Sequence, residues 1–133
     1  MVIAVAFDDS PEGRWAAVYA ARAAMQRREQ LLVLRIVDDV SSTEPESVRT
    51  AVRAALDAGG VGESPWELRT AEHSGDPVGA LIELIADSGA ALFVAGTRRR
   101  NAVGKFLLDR TLQRILLEVE VPVLVVKEPL DDD

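Results

Sequence analysis

Five runs of largely apolar residues recur along the chain, and each is followed by a polar turn. Four of them are nearly continuous and rich in valine, leucine and isoleucine, a pattern typical of strands buried on both faces. The third run alternates and is more polar, which favours a strand at the edge of a sheet. The predicted strands are Val2–Phe7, Leu31–Val37, Trp66–Ala71, Ala90–Ala95 and Val121–Val126.

Between these runs, apolar residues recur at the three- and four-residue spacing of one-faced helices. Ser10 before Pro11 and Asp76 before Pro77 each combine a favoured N-cap residue with a proline at the first helical position. The helices are predicted to run from Pro11 to about Arg28, from Pro45 to before Gly59, from Pro77 to before Gly89, and around Leu112–Val119.

Strict alternation of strands and helices predicts an α/β domain, with a parallel sheet covered by helices on both faces. A chain of 133 residues is enough for one such domain, which we expect to span residues 1–127, followed by an acidic tail at residues 128–133. Ligands of open parallel sheets bind beyond the carboxyl ends of the strands. The loops after Phe7, Val37 and Ala95 are therefore the candidate site.

Composition excludes several classes of function. Apolar residues make up 48% and charged residues 28% of the chain, so a folded core is expected. There is no cysteine, and His73 is the single histidine, so we expect neither a metal site nor a serine–histidine relay. No run is long enough to span a membrane, and the first residues do not resemble a signal peptide, so the cytoplasm is the expected compartment.

The charge is unevenly distributed. The net charge of −7 argues against nucleic-acid or anionic-membrane partners, yet the segment 94–115 carries five net positive charges. This segment is either a solvated loop and helix face or a local anion site on an acidic protein.

Two loops carry candidate chemistry. Asp8 and Asp9 follow the first strand, where they either serve a ligand or form the turn. Gly96, after the fourth strand, would let backbone approach a ligand closely. Asp109 precedes the fourth helix, and we expect its carboxylate to cap that helix where a phosphate would otherwise bind.

Five segments carry a family resemblance. In chain order they are VAFDDS, LRIVD, SGDP, LFVAGTR and RILLEVEVPVLVVK, which are similar to VAVDGS, LHVVD, EGDP, LIVVGSR and RVLRHAPCPVLVV of the universal stress protein family. The resemblance covers nearly the whole chain. It implies a three-layer α/β/α sandwich of the Rossmann-like, adenine nucleotide alpha-hydrolase-like type, with a five-stranded parallel sheet in the order 3-2-1-4-5.

The family's nucleotide motif is degenerate here. Nucleotide-binding members carry Gly-x2-Gly-x9-Gly-Ser/Thr after strand 4, and this chain keeps only the first glycine, as Gly96. Arg99, Asp109 and Arg110 occupy the other motif positions, and Thr111 supplies a hydroxyl one position late. We therefore expect ATP binding to be absent or weak, and no other cofactor.

The resemblance also assigns other binding positions. Asp8 is the retained aspartate of strand 1, and the backbones of Ile36 and Ala95 would contact adenine. Arg98 and its basic neighbours would attract an anion, while Asp109 would repel one.

The family commonly forms dimers through strand 5, which implies a homodimer edge at Val121, Val123 and Val125. The alternative is a monomer whose edge is protected by Pro122 and the acidic tail.

Three functions compete. The first is a homodimeric regulatory or stress-response domain that acts through contacts with an unknown protein partner, without bound nucleotide. The second is a nucleotide-binding stress protein whose arginines replace the loop glycines. The third is a phosphorylation receiver domain built on Asp8, Asp9 and Lys127, but it lacks an aspartate at the end of strand 3. We expect no enzyme, because no nucleophile or base has a partner; slow ATP hydrolysis is the one reaction left open.

Overall fold

The computed structural model describes residues 1–8, 10–38, 45–73, 75–97 and 110–127. Within these residues, strands and helices alternate in the predicted order. The elements are β1 (Val2–Ala6), α1 (Pro11–Arg27), β2 (Gln30–Asp38), α2 (Pro45–Ala58), β3 (Trp66–His73), α3 (Pro77–Asp87), β4 (Leu92–Thr97), α4 (Arg110–Glu118) and β5 (Val123–Lys127).

The strands form one parallel sheet in the order β3-β2-β1-β4-β5, which confirms the expected topology. Successive side chains point to opposite faces, so the sheet separates two apolar cores. Val5 and Val94 belong to the core under α1 and α2. Leu34 and Phe93 belong to the core under α3 and α4. Both faces are therefore covered, as a buried parallel sheet requires.

Most strand ends differ from the sequence prediction by one or two residues. β3 continues past Ala71 to His73, which pairs with Asp38. β4 continues through Gly96 to Thr97, which pairs with Lys127. β5 begins at Val123 and not at Val121, because a proline at 122 has no N–H to donate to the ladder.

The predicted N-caps of α1 and α3 are confirmed. Ser10 Oγ accepts a hydrogen bond from Gly13 N at 3.0 Å. Asp76 Oδ1 accepts one from Gly79 N, also at 3.0 Å. Each cap satisfies an amide that the first helical turn leaves without a partner.

Helix α1 packs on the sheet through small residues. Its inward face consists of fully buried alanines, among them Ala16 and Ala20, which allow a short distance between helix and strands. At its N-terminal end even a methyl group would not fit. A Cβ on Gly96 would lie 2.3 Å from the Glu12 carbonyl oxygen, and one on Gly13 would lie 2.4 Å from the Asp8 carbonyl oxygen. These two glycines let the first turn of α1 pack directly on the ends of β4 and β1.

We expect Gly96→Ala to destabilise the protein by about 1–3 kcal/mol, because the added methyl group meets rigid backbone. Gly62→Ala is the matched control, since its methyl group would meet the end of the exposed Asp57 side chain, which can rotate away. Urea unfolding of both variants measures the difference. Equal stability of the two variants would show that the helix can shift at no cost.

Candidate functional site

A pocket of about 190 Å³ opens at the carboxyl ends of β1 and β4, against the first turns of α1 and α4. This is the location expected for a ligand of an open parallel sheet. Its floor is apolar and includes Leu81 and Phe93. Its polar lining includes two carboxylic acids and two threonines, namely Asp8, Glu12, Thr97 and Thr111.

Asp8 serves the turn between β1 and α1 and also lines the pocket. Its Oδ1 accepts a hydrogen bond from Ser10 N at 3.2 Å and another from Ser10 Oγ. The Ser10 hydroxyl in turn caps α1. Because one oxygen of the carboxylate is held by the turn, the group is fixed in position at the mouth of the pocket. The interpretation of Asp8 as a turn residue is therefore confirmed, and its role toward a ligand stays a prediction.

Glu12 is a pocket residue that the sequence analysis did not identify. It lies in the first turn of α1, and its Oε2 is buried and has no hydrogen-bond partner in the described part of the chain. Its backbone carbonyl is the group that Gly96 accommodates. The available signal was an acid four residues after Asp8, on a helix that starts beside it.

The candidate binding residues predicted from the sequence fall into three groups. Asp8, Ala95, Gly96 and Thr111 line the pocket together. Ile36 and Arg110 are not among its lining residues: Ile36 lies within β2, opposite Ala71, and Arg110 is exposed at the start of α4. The predicted residues Asp9, Arg98, Arg99 and Asp109, and the tail 128–133, lie outside the described residues.

The retained glycine has a structural explanation. Gly96 was expected to leave room for a ligand, but the space beside it is filled by the backbone of Glu12 and by Ala16. Packing of α1 on β4 therefore requires this glycine whether or not a nucleotide binds.

Helix α4, which forms one wall of the pocket, is tied to α3 by a charged network that we call the Asp76 clamp (Asp76, Arg114 and Glu118). Arg114 Nη1 and Nη2 donate to the two carboxylate oxygens of Asp76 at 2.8 and 3.0 Å. Arg114 Nε donates to Glu118 at 2.8 Å.

The clamp shifts the pKa values of both of its central members. Hydrogen bonds from Arg114 and then from the Gly79 amide hold the pKa of Asp76 below its ordinary value. The same contacts, first with Asp76 and then with Glu118, raise the pKa of Arg114. The pair is thus ionised at neutral pH, and its contribution is lost only as the pH falls through the lowered pKa of Asp76.

Two further kinds of feature are missing from the described ranges. They contain no group of three or more histidine, cysteine, aspartate or glutamate residues placed to hold a metal ion. They also contain no helix with the length and apolar character needed to cross a bilayer.

Comparison with known proteins agrees with this geometry. The model of the universal stress protein family matches residues 1–127. A universal stress protein of Mycolicibacterium smegmatis is 34% identical over 135 aligned positions, which cover 95% of this chain and 97% of that protein.

Solved structures share the fold at lower identity. A universal stress protein from Archaeoglobus fulgidus is 21% identical, with a TM-score of 0.74 and coverage of 96% of this chain and 98% of that one. A universal stress protein in complex with cAMP is also 21% identical, with a TM-score of 0.70 and coverage of 97% and 98%. The match of the family model over nearly the full length, together with the curated relative, shows that this chain belongs to the universal stress protein family.

Proposed function

We propose that this protein is a homodimeric regulatory domain of the stress response that acts through contacts with a protein partner and binds ATP weakly or not at all. The observation that carries the proposal is the lining of the pocket. Two acidic residues, Asp8 and Glu12, face the position where a nucleotide would bind, and none of the pocket-lining residues described is cationic.

Electrostatics oppose a triphosphate in this pocket. Like charges brought close together in a partly desolvated site repel strongly. Arg114 of α4 is already bonded to two carboxylates. Arg110 of the same helix is exposed and does not line the pocket. Among the described residues that line the pocket, a polyanion would therefore meet acidic side chains and no cationic one.

The size of the pocket points the same way. Pockets for drug-sized ligands typically enclose about 300–1,000 Å³, whereas this one encloses about 190 Å³. Part of the space next to Gly96 is filled by the first turn of α1.

A second candidate function is nucleotide binding in which arginines replace the loop glycines. It is favoured by the assembly of Asp8, Ala95, Gly96 and Thr111 around one pocket and by the cAMP complex of the structurally similar relative. A cyclic monophosphate carries less charge than ATP and so suffers less repulsion from the two acids.

Catalysis is not part of the proposal. Hydrolysis needs a base whose proton-accepting atom is available to the attacking water. Oδ1 of Asp8 is held by Ser10, and Glu12 Oε2 is buried. Slow turnover of ATP would require binding in the first place.

The free edge of β5 supports dimerisation. This strand ends the sheet order, so one side of its backbone has no neighbouring strand among the residues that the structure describes. Phe93 N donates to Pro122 O at 2.9 Å, so Pro122 faces β4. Because successive residues of a strand alternate in direction, the backbone N–H and C=O groups of Val123 and Val125 point away from β4. Pro122 therefore does not block the free edge.

Helix α4, which precedes β5 in the chain, also carries exposed apolar surface. Leu116 is 38% exposed and lies two residues after Arg114. Two residues correspond to about 200° around a helix, so Leu116 points away from the side of α4 that meets α3. Together with half-buried Val123 and Val125, it would extend the contact between two copies.

We expect calorimetry with millimolar ATP and magnesium to give no heat, and melting to give no shift, because the acidic lining repels the phosphates. A dissociation constant in the micromolar range would overturn this proposal and support the second candidate.

We expect Glu12→Gln to strengthen ATP binding severalfold by removing one negative charge from the pocket. Glu29→Gln is the matched control, because Glu29 is also half-buried with an unpartnered Oε2 but does not line the pocket. Titration of both variants with ATP measures the effect. If both variants bind like the parent chain, Glu12 has no part in excluding phosphate.

We expect the parent chain to be a dimer and Val125→Pro to be a folded monomer, because the proline removes an edge N–H without breaking a bond to β4. Leu124→Pro is the contrasting variant: it removes an N–H that faces β4 and should unfold. Light scattering coupled to gel filtration measures the mass, and circular dichroism measures folding. A monomeric parent chain would contradict the proposed dimer. A dimeric Val125→Pro variant would show that the interface lies elsewhere.

A further inference from the structure

We infer that Arg114 is a positioning residue for the pocket: by bonding to Asp76, it holds the α4 wall against the first turn of α3. This inference rests on the proposed function and deepens it, because it assigns a positioning role to a residue next to the same pocket. Arg114 itself does not line the pocket, but Thr111, Leu112 and Ile115 of the same helix do. Any displacement of α4 therefore changes the pocket directly.

Helix α4 buries few of its own side chains. It has nine residues, and only Leu112 and Ile115 are buried, whereas Leu117 is 85% exposed. A helix this short is marginal without tertiary contacts. Two buried side chains restrain its distance from the sheet but leave sliding and rotation less restricted. The clamp adds a directional restraint at the middle of the helix.

The other end of the clamp is rigid. Asp76 Oδ1 accepts both the Gly79 amide and Arg114 Nη1, so the carboxylate is held by the N-terminal turn of α3. The same helix supplies Leu81 to the pocket floor. The clamp thus joins two helices that contribute different walls of one pocket.

Gly79 makes the clamp possible. A Cβ at this position would lie 2.4 Å from Asp76 Oδ2 and 3.3 Å from Arg114 Nη2. A side chain here would push into the paired carboxylate and guanidinium groups. Because Gly79 has no side chain, there is room for Arg114 to bond to both oxygens of the Asp76 carboxylate. This two-point contact restricts the orientation of the two groups more than a single charge pair does.

The clamp connects two segments that are far apart in sequence. Asp76 belongs to the turn before α3, and Arg114 lies 38 residues later, in the segment that leads into β5. Both segments carry the family resemblance but lie outside the glycine motif. The clamp gives them a common role at the pocket.

The test compares Asp76→Asn, Arg114→Gln and the double variant by amide hydrogen exchange. Asparagine is as good an N-cap as aspartate, so Asp76→Asn removes the charge pair while keeping the α3 cap. We expect exchange across α4 residues 112–118 to rise about twofold to fivefold in each single variant, the range of an exposed charge pair. The double variant should show no further increase, because both changes break the same contact.

Two controls separate positioning from general weakening. Arg49→Gln alters another exposed pair, with Glu46 on α2, and should leave α4 exchange unchanged. The Ile115 and Leu81 methyl resonances should shift in Arg114→Gln and recover only partly in Arg114→Lys, which cannot make the two-point contact. Unchanged α4 exchange in Arg114→Gln, additive effects in the double variant, or unmoved methyl resonances would overturn the inference.

Ligand binding provides a separate test. If cAMP or ATP binds the parent chain, Arg114→Gln should change its dissociation constant at least twofold, whereas Arg49→Gln should not. Tight ATP binding with the predicted exchange pattern would refute the proposed function and leave the positioning role standing. Equal affinities in parent and Arg114→Gln would refute coupling of the clamp to the pocket.

Discussion

The first turn of α1 is in direct backbone contact with the ends of β1 and β4, and the rest of the site follows from that contact. Gly13 and Gly96 remove the side chains that would separate helix from sheet. The contact brings Glu12 into the pocket, which Asp8 also lines. The pocket at the carboxyl ends of β1 and β4 is therefore lined by two acidic side chains.

Helix α4 contributes to the pocket and also carries exposed apolar surface. Thr111, Leu112 and Ile115 of this helix line the pocket, and Arg114 bonds to Asp76 at the start of α3. Leu116 is partly exposed on a different side of the helix. A displacement of this short helix would therefore change the pocket and the position of Leu116 together.

The fold was predictable because its signals are local and repeated. The four continuous apolar runs, the helical spacing around Val52, and the Ser10 and Asp76 caps each specify one element. Strand ends were less predictable, since Thr97 and His73 extend their strands only because a partner strand lies beside them. The lining of the pocket was predicted in part: Asp8 follows from its position after β1, and Thr111 follows from the family resemblance. Glu12 and Arg114 do not, because their roles depend on contacts between elements distant in sequence.

The packing role of Gly96 bears on how such sequences are interpreted. A residue that both the fold and a ligand require remains under selection for the fold after ligand binding has been lost. Gly96 is expected to persist in a descendant that has stopped binding nucleotide, as a remnant kept by the scaffold. The presence of this glycine alone is therefore poor evidence of nucleotide binding. Better evidence comes from positions that only the ligand would constrain.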